Sequence, residues 1–338
     1  MRIKYFRVHA ASGACVAGFS LIELMIAMAI GLFLMLGLTT LLVNTSASHT
    51  EMQKSSAQIE NGRYATQILS EDLRLAGYFG DYAPMGYDLP EKPCAVAVEP
   101  VSPNMPSPVG YDLTAVASDF SCMSNLLAGT GVLVVRRAQT VSAAAAAAVA
   151  GTTYVQVSQC NSDSTATPFK FGTIASTGGF NLRTLACDST TPAVVRKFVI
   201  HVYYISTCNA CTPSSDGIPT LKMVEYVDGA FQAPVALVEG IEDMQFDYGI
   251  DTTGDGSPDA YFAAPAAAVD WADVMAVRVN VLARNIDSTA GYDDSKTYAV
   301  GLAKPTYTVP TGVARTYKRH AYSTLVRLEN PSGRREVP

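Results

Sequence analysis

Gly18-Phe19-Ser20-Leu21-Ile22-Glu23-Leu24-Met25 opens a segment that runs to Val43 with a single charged residue, Glu23. Upstream, residues 1–18 hold Arg2, Lys4 and Arg7 and no acid. About 20 apolar residues at ~1.5 Å each cross a ~30 Å hydrocarbon core, and Leu24 to Val43 supplies that length. Basic residues stay on the cytoplasmic side, so the segment is expected to insert with its N-terminus inside and the rest of the chain outside. A carboxylate in such a segment costs about 2.5 to 3.5 kcal/mol on insertion scales, which makes Glu23 a functional candidate in need of a partner. A secretory signal would place its cleavage site after the apolar run. Here Gly18 precedes it. A cut between Gly18 and Phe19 would keep the helix, create an α-amino group on Phe19, and leave Glu23 one helical turn away.

This stretch resembles the processing site of type IV prepilins and pseudopilins. The resemblance implies cleavage after Gly18 by a prepilin peptidase and N-methylation of Phe19. It also implies that Glu23 pairs with the N-terminal amine of a neighbouring subunit during assembly. The segments Glu60-Asn61-Gly62-Arg63-Tyr64-Ala65 and Asp72-Leu73-Arg74-Leu75-Ala76-Gly77-Tyr78 are similar to the stem of PilW-type minor pilins. Tyr322-Ser323-Thr324-Leu325-Val326-Arg327-Leu328-Glu329-Asn330 is similar to the closing strand of those proteins and of J-type pseudopilins of type II secretion. No diagnostic pattern stands out between Pro84 and Ala193.

The expected architecture is α+β: a long N-terminal transmembrane and amphipathic helix followed by an antiparallel β-sheet-rich, pilin-like head. Its parts are a leader (1–18), a transmembrane helix (19–43), a periplasmic continuation of the helix (44–79) and a head (80–338). Met52, Ser56, Ile59, Gly62, Thr66, Leu69, Leu73 and Ala76 recur at three- and four-residue steps, a helical stripe. Glu51, Lys54, Glu60, Arg63, Glu71 and Arg74 fill the other faces, and Gly77 and Gly80 provide a stop. Pro84 to Pro108 is Pro-rich and is expected to run as a loop. Ala143 to Ala150 reads either as a helical turn or as a loop. Strands are expected at Val132–Arg137, Lys197–Ser206, Leu221–Val227, Ala233–Val238, Met244–Tyr248, Val274–Arg284 and Tyr322–Arg327, with a hairpin at Asp228-Gly229. Alternation in Ala276-Val277-Arg278-Val279-Asn280-Val281 gives the sheet one buried and one wet face.

The 338 residues are 49% hydrophobic and 16% charged, which rules out a disordered chain, and a net charge of -6 disfavours general nucleic-acid binding. Of the seven cysteines, Cys15 lies in the leader, leaving Cys94, Cys122, Cys160, Cys187, Cys208 and Cys211. An even set suits disulfides in an oxidising compartment, and neighbours along the chain are the expected pairs. The C-x-x-C spacing of Cys208 and Cys211 also occurs in zinc sites, but no second C-x-x-C or His pair accompanies it.

Asp251-Thr252-Thr253-Gly254-Asp255-Gly256-Ser257-Pro258-Asp259 resembles a calcium loop. Asp251, Thr253, Asp255 and Asp259 with the Ser257 carbonyl fall at oxygen-donating positions, and Gly256 falls at the sharp turn. Phe262 stands where an EF-hand has its bidentate Glu. A hydrogen-bonded Asp/Gly turn is the competing reading. No cofactor is required, and Ca²⁺ is the one candidate ion. His9, His49, His201 and His320 are scattered, with no G-x-S-x-G, H-E-x-x-H or phosphate-binding glycine loop, so no catalytic residue is assigned and the chain reads as a non-enzyme. His201, in an apolar strand, reads as a core or sheet-face residue, and Trp271 as a core or sheet-surface residue.

Three functions are compatible with these features. The first is a minor pilin that primes pilus assembly and sits at or near the filament tip, with other minor pilins, a major pilin and a tip adhesin as partners. The second is a type II secretion minor pseudopilin, and the third a tip-located adhesin with a Ca-stabilised head.

Overall fold

A computed structural model describes residues 18–82, 93–94, 106–112, 120–163, 168–265 and 268–336. The leader and most of Pro84–Pro108 lie outside the described residues. The chain divides into two units, Met1–Gln53 and Lys54–Pro338, and helix α1 (Leu21–Arg74) contributes to both. From Leu24 to Val43 the helix is largely apolar and exposed. Its hydroxyls are satisfied internally: Thr39, Thr40, Thr45 and Thr50 each donate to the carbonyl four residues earlier.

The second unit is built on antiparallel sheets. In chain order the strands are β1 (Val109–Asp112), β2 (Gly131–Ala138), β3 (Tyr154–Val157), β4 (Phe169–Gly172), β5 (Val195–Ser206), β6 (Thr220–Val227), β7 (Ala230–Phe231), β8 (Val235–Glu239), β9 (Ile241–Ile250), β10 (Ala260–Phe262), β11 (Val274–Arg284), β12 (Thr297–Val300), β13 (Lys304–Thr308) and β14 (Arg319–Arg327). Short helices α2 (Ile174–Thr177), α3 (Ala268–Ala272) and α4 (Glu329–Arg335) intervene or follow. The larger sheet runs β1-β2-β5-β3-β4, and the second half of the long β5 pairs with β6, which carries β7 and β8. A second sheet runs β10-β9-β11-β14, and β12 pairs only with β13.

The alternation of β5 explains the layers. Tyr203 and Ile205 join Ala65, Leu69 and Leu73 of α1, Met244 and Phe246 of β9 and Val277, Val279 and Val281 of β11 in the main core. Phe198, Ile200, Val202 and Tyr204 face the opposite way, into a second core with Phe79, Val132 and Val134. On β9 the residues facing away from the main core are Asp243, Gln245 and Asp247, all buried. The β12–β13 hairpin meets them through Lys304 to Asp243 (2.6 Å) and the Leu302 backbone N–H to Asp247 (2.7 Å). Arg319 of β14, its side chain fully buried, adds ion pairs to Glu242 and Asp294.

The expected strands form with small changes at their ends. Asp228 and Gly229 both have positive φ (52° and 85°), as a two-residue type I′ turn between β6 and β7 demands. Ala145–Ala147 is one turn of 3-10 helix. The helical stripe needs correction. Met52 and Ile59 are exposed, and the buried positions between Lys54 and Arg74 are Gln58, Gly62, Ala65, Leu69, Asp72 and Leu73. The buried face is rotated because two polar side chains find partners inside, as described below. Gly62 sits on it for a steric reason: a Cβ there would stand 2.1 Å from the Tyr322 ring. β1, β3, β4 and the β12–β13 hairpin are not anticipated by the sequence pattern.

Candidate functional site

At the N-terminus, Ser20 and Glu23 form a reciprocal capping box. The Glu23 amide donates to the Ser20 hydroxyl (3.2 Å), and the Ser20 amide donates to Glu23 Oε2 (3.2 Å). The pair satisfies two of the N–H groups that a helix start leaves free. The S-x-x-E spacing was visible in the sequence as a helix start and is overlooked when Glu23 is read only as an intermolecular partner. Gly18 and Phe19 precede the box, both exposed, and a Cβ on Gly18 would meet nothing within 4 Å. Among the described residues the Glu23 carboxylate bonds only within this box. The helix that follows is long and apolar enough to cross a membrane, with none of its apolar window buried.

The Lys54–Arg74 part of α1 is fixed to the sheets by polar side chains. The Gln58 amide donates to the carbonyls of Ala283 and Lys318 (both 2.9 Å), and Asn61 donates to Glu239 O (3.1 Å). Buried Asp72 is the hub. It accepts from Arg137 Nε (2.8 Å) and the Tyr203 hydroxyl (3.0 Å), and it lies 2.7 Å from His201 Nδ1. His201 Nε2 faces Glu225 at 3.4 Å. Burial alone would lower the His201 pKa, but its hydrogen bonds to Asp72 and Glu225 outweigh it and hold the imidazole protonated up to about 9. Burial opposes ionisation of Asp72, yet His201 and Arg137 keep its pKa below the usual carboxylate value. Of the two places the sequence allowed, His201 takes a buried one and is charged there, and its two carboxylates come from α1 and β6, far apart in the chain.

The proposed calcium loop folds as a turn whose oxygens are already committed. Asp251, 1% exposed, accepts from the amides of Thr253, Gly254 and Gly256 and from Arg335 of α4. Burial would raise its pKa; the Gly256 and Gly254 amides and Arg335 instead bring it down to about 2. Asp259 accepts from the Thr252 and Thr253 amides and the Thr252 hydroxyl. Asp255 accepts from the Ser257 amide. No group of three His, Cys, Asp or Glu side chains among the described residues is placed to hold a metal. A guanidinium thus meets the first carboxylate of the Asp251, Thr253, Asp255, Ser257 and Asp259 set, and amides meet the others. The competing Asp/Gly turn accounts for the loop.

The six cysteines form Cys94–Cys122, Cys160–Cys187 and Cys208–Cys211. The last bridge takes both cysteines of the C-x-x-C pair.

Among the described residues, one long apolar helix follows Gly18 and Phe19 and leads into an antiparallel β-rich domain. Residues 14–39 match the prokaryotic N-terminal methylation motif, and residues 202–330 match the family described as Type IV Pilus-assembly protein W. A type IV-like pilin from Thermus thermophilus is a structural neighbour at 10% identity and a TM-score of 0.36, over 81% of this chain and 96% of that one. No curated protein sequence matches. Pilin-type families are structural and non-enzymatic.

Proposed function

We propose that the chain is made as a prepilin, cut by a prepilin peptidase between Gly18 and Phe19, methylated on Phe19, and held in the inner membrane with its β-rich unit on the periplasmic side until it joins other minor pilins in priming a pilus. The basic residues Arg2, Lys4 and Arg7 ahead of the helix support that orientation. The observation that carries the reading is the helix from Leu21 to Val43, long and apolar enough to cross a membrane yet holding one carboxylate at its start. An acid in that position is costly in lipid and gains when an adjoining chain's α-amine neutralises it. The capping box gives Glu23 a resting arrangement inside its own chain, from which it exchanges one backbone donor for a charged partner. The size of the β-rich unit favours a place at or near the filament tip, where no identical neighbours crowd it.

The test is a pair of chromosomal variants scored by the mature N-terminus and by filament content. Gly18→Asp should leave the chain uncut, and a mature-sized product from it would refute the processing step. Glu23→Ala should be processed and inserted but excluded from filaments. Wild-type incorporation of Glu23→Ala would refute the pairing. Loss of surface pili in a deletion strain, with protein secretion intact, distinguishes pilus priming from a secretion pseudopilin.

A further inference from the structure

We propose that Cys208–Cys211 is a thiol–disulfide exchange site, opened by a thiol that attacks Cys211 while the other two bridges stay closed. Its place in the chain argues against a bracing role. Cys94–Cys122 and Cys160–Cys187 close separations of 28 and 27 residues, whereas Cys208–Cys211 closes 3. In the loop-closure account the shortest loop removes the least freedom from the unfolded chain. The loop also has its own fastenings. Asp216 accepts from the amides of Asn209 (3.0 Å), Ala210 (2.7 Å) and Ile218 (3.0 Å). Asn209 Nδ2 donates to Glu239 (2.5 Å), and the Thr207 amide donates to Asn125 O (2.7 Å). These bonds hold the turn whether or not the sulfurs are joined.

The two sulfurs are unequal. Cys208 is 1% exposed, and Cys211 is half-buried beside the exposed residues 212–217. Lys222, on β6 and 7% exposed, places Nζ 3.4 Å from Cys211 Sγ and 3.1 Å from the Asn209 carbonyl. The Ser206 hydroxyl lies 3.9 Å from one sulfur and 3.8 Å from the other. An ammonium against a sulfur favours the thiolate and so the reduced state. Burial holds the Lys222 pKa below its ordinary value, and the charge of the nearby Asp216 opposes that shift and supports the ammonium. Among the described residues, the other bridges receive a backbone N–H at Cys94 and the Ser162 hydroxyl at Cys160, and no ammonium.

The step balances with two equivalents of a thiol, RSH. The first thiolate bonds to Cys211 Sγ, and the disulfide electron pair leaves on Cys208 Sγ, which takes up a proton. The second thiolate attacks the R sulfur of the mixed disulfide and releases Cys211 as a thiolate facing Lys222. Two RSH are oxidised to RSSR, two electrons enter the protein, and the proton not held by Cys208 passes to Cys211 or to water according to pH.

The detergent-solubilised full chain is equilibrated in glutathione buffers of graded poise, and each cysteine is quantified by differential alkylation and mass spectrometry. Cys208–Cys211 should open where the other two remain intact, and Lys222→Met should move its equilibrium about tenfold toward the disulfide, about 30 mV for two electrons. Simultaneous opening of all three bridges, or a Lys222→Met shift below about twofold, would overturn the proposal. A second measurement follows the alkylation rate of Cys211 against pH in Cys208→Ser. The half-rate should fall below about pH 8.5 and rise when Lys222→Met is added; an unchanged profile contradicts the proposal, and should Cys208→Ser fail to fold, the wild-type titration decides alone.

Discussion

Between Leu24 and Val43 helix α1 is largely apolar and exposed, whereas between Lys54 and Arg74 the same helix buries Gln58, Gly62, Ala65, Leu69, Asp72 and Leu73. The first half carries no information about which face meets a partner, so lipid and neighbouring helices are equally acceptable surroundings. The second half is specified residue by residue. Its amides reach particular carbonyls and its one buried acid meets His201, Arg137 and Tyr203. A helix that must leave a bilayer and pack among others is served by the first design, and one that must hold a folded unit is served by the second.

The comparison is broken most severely at Asp72. Asp72→Leu leaves the Arg137 guanidinium and the Tyr203 hydroxyl without their acceptor, and removing one partner of a buried pair costs about 3 to 5 kcal/mol. His201 can shed its proton and Arg137 cannot, so the loss should fall near the lower figure. Urea unfolding of the detergent-solubilised protein measures it, and a loss under about 1 kcal/mol would show the hub to be dispensable.

The same hub predicts a pH window. The folded His201 pKa, about 9, lies above the unfolded value, so its contribution is complete below about pH 6.5 and is lost as pH rises through 9. Asp72, depressed in the fold, contributes above its ordinary range near 3.9 and is lost as pH falls below it. Stability should therefore decline between about pH 6.5 and 9, on the order of 2 kcal/mol, and His201→Gln should flatten that decline. A decline of equal size in the variant would place its cause elsewhere. Gly62→Ala is expected to be milder. The added methyl collides with the Tyr322 ring, which can turn aside at about 1 to 2 kcal/mol. A stabilised Gly62→Ala protein, as helix propensity alone would give, would show that the helix does not press on β14.

The apolar half was legible from Phe19 to Val43 because a run with Glu23 as its one charge admits one reading at that length. Strands β5, β6, β9 and β11 were legible from alternation and β-branched residues. The hub was not, because Asp72 and Glu225 lie 129 and 24 positions from His201, and a polar residue inside a helical stripe looks like an interruption until its partners are known. The Asp251 ion pair was hidden for a related reason: spacing locates the carboxylates of Asp251–Asp259 but not Arg335, which arrives from α4. Short strands such as β3 and β4, four residues each, exist by pairing, β3 with β5 and β4 with β3, more than by their own propensity.

The gentlest test addresses the apolar half alone. Ser20→Ala removes the hydroxyl that accepts the Glu23 amide, at a cost of about 1 kcal/mol to the first turn. That helix start makes no contribution to the buried cores, so the urea midpoint of the Lys54–Pro338 unit should stay unchanged. The loss should appear instead as faster hydrogen exchange of the Leu21–Leu24 amides in detergent, a fraying confined to the terminus. If Glu23 is meant to leave its own capping box for a neighbour's amine, Ser20→Ala frees it in advance, and the variant should enter filaments at least as readily as wild type. A Ser20→Ala protein that frays yet is excluded from filaments would mean that the ordered first turn, and not the free carboxylate, is what an adjoining chain recognises.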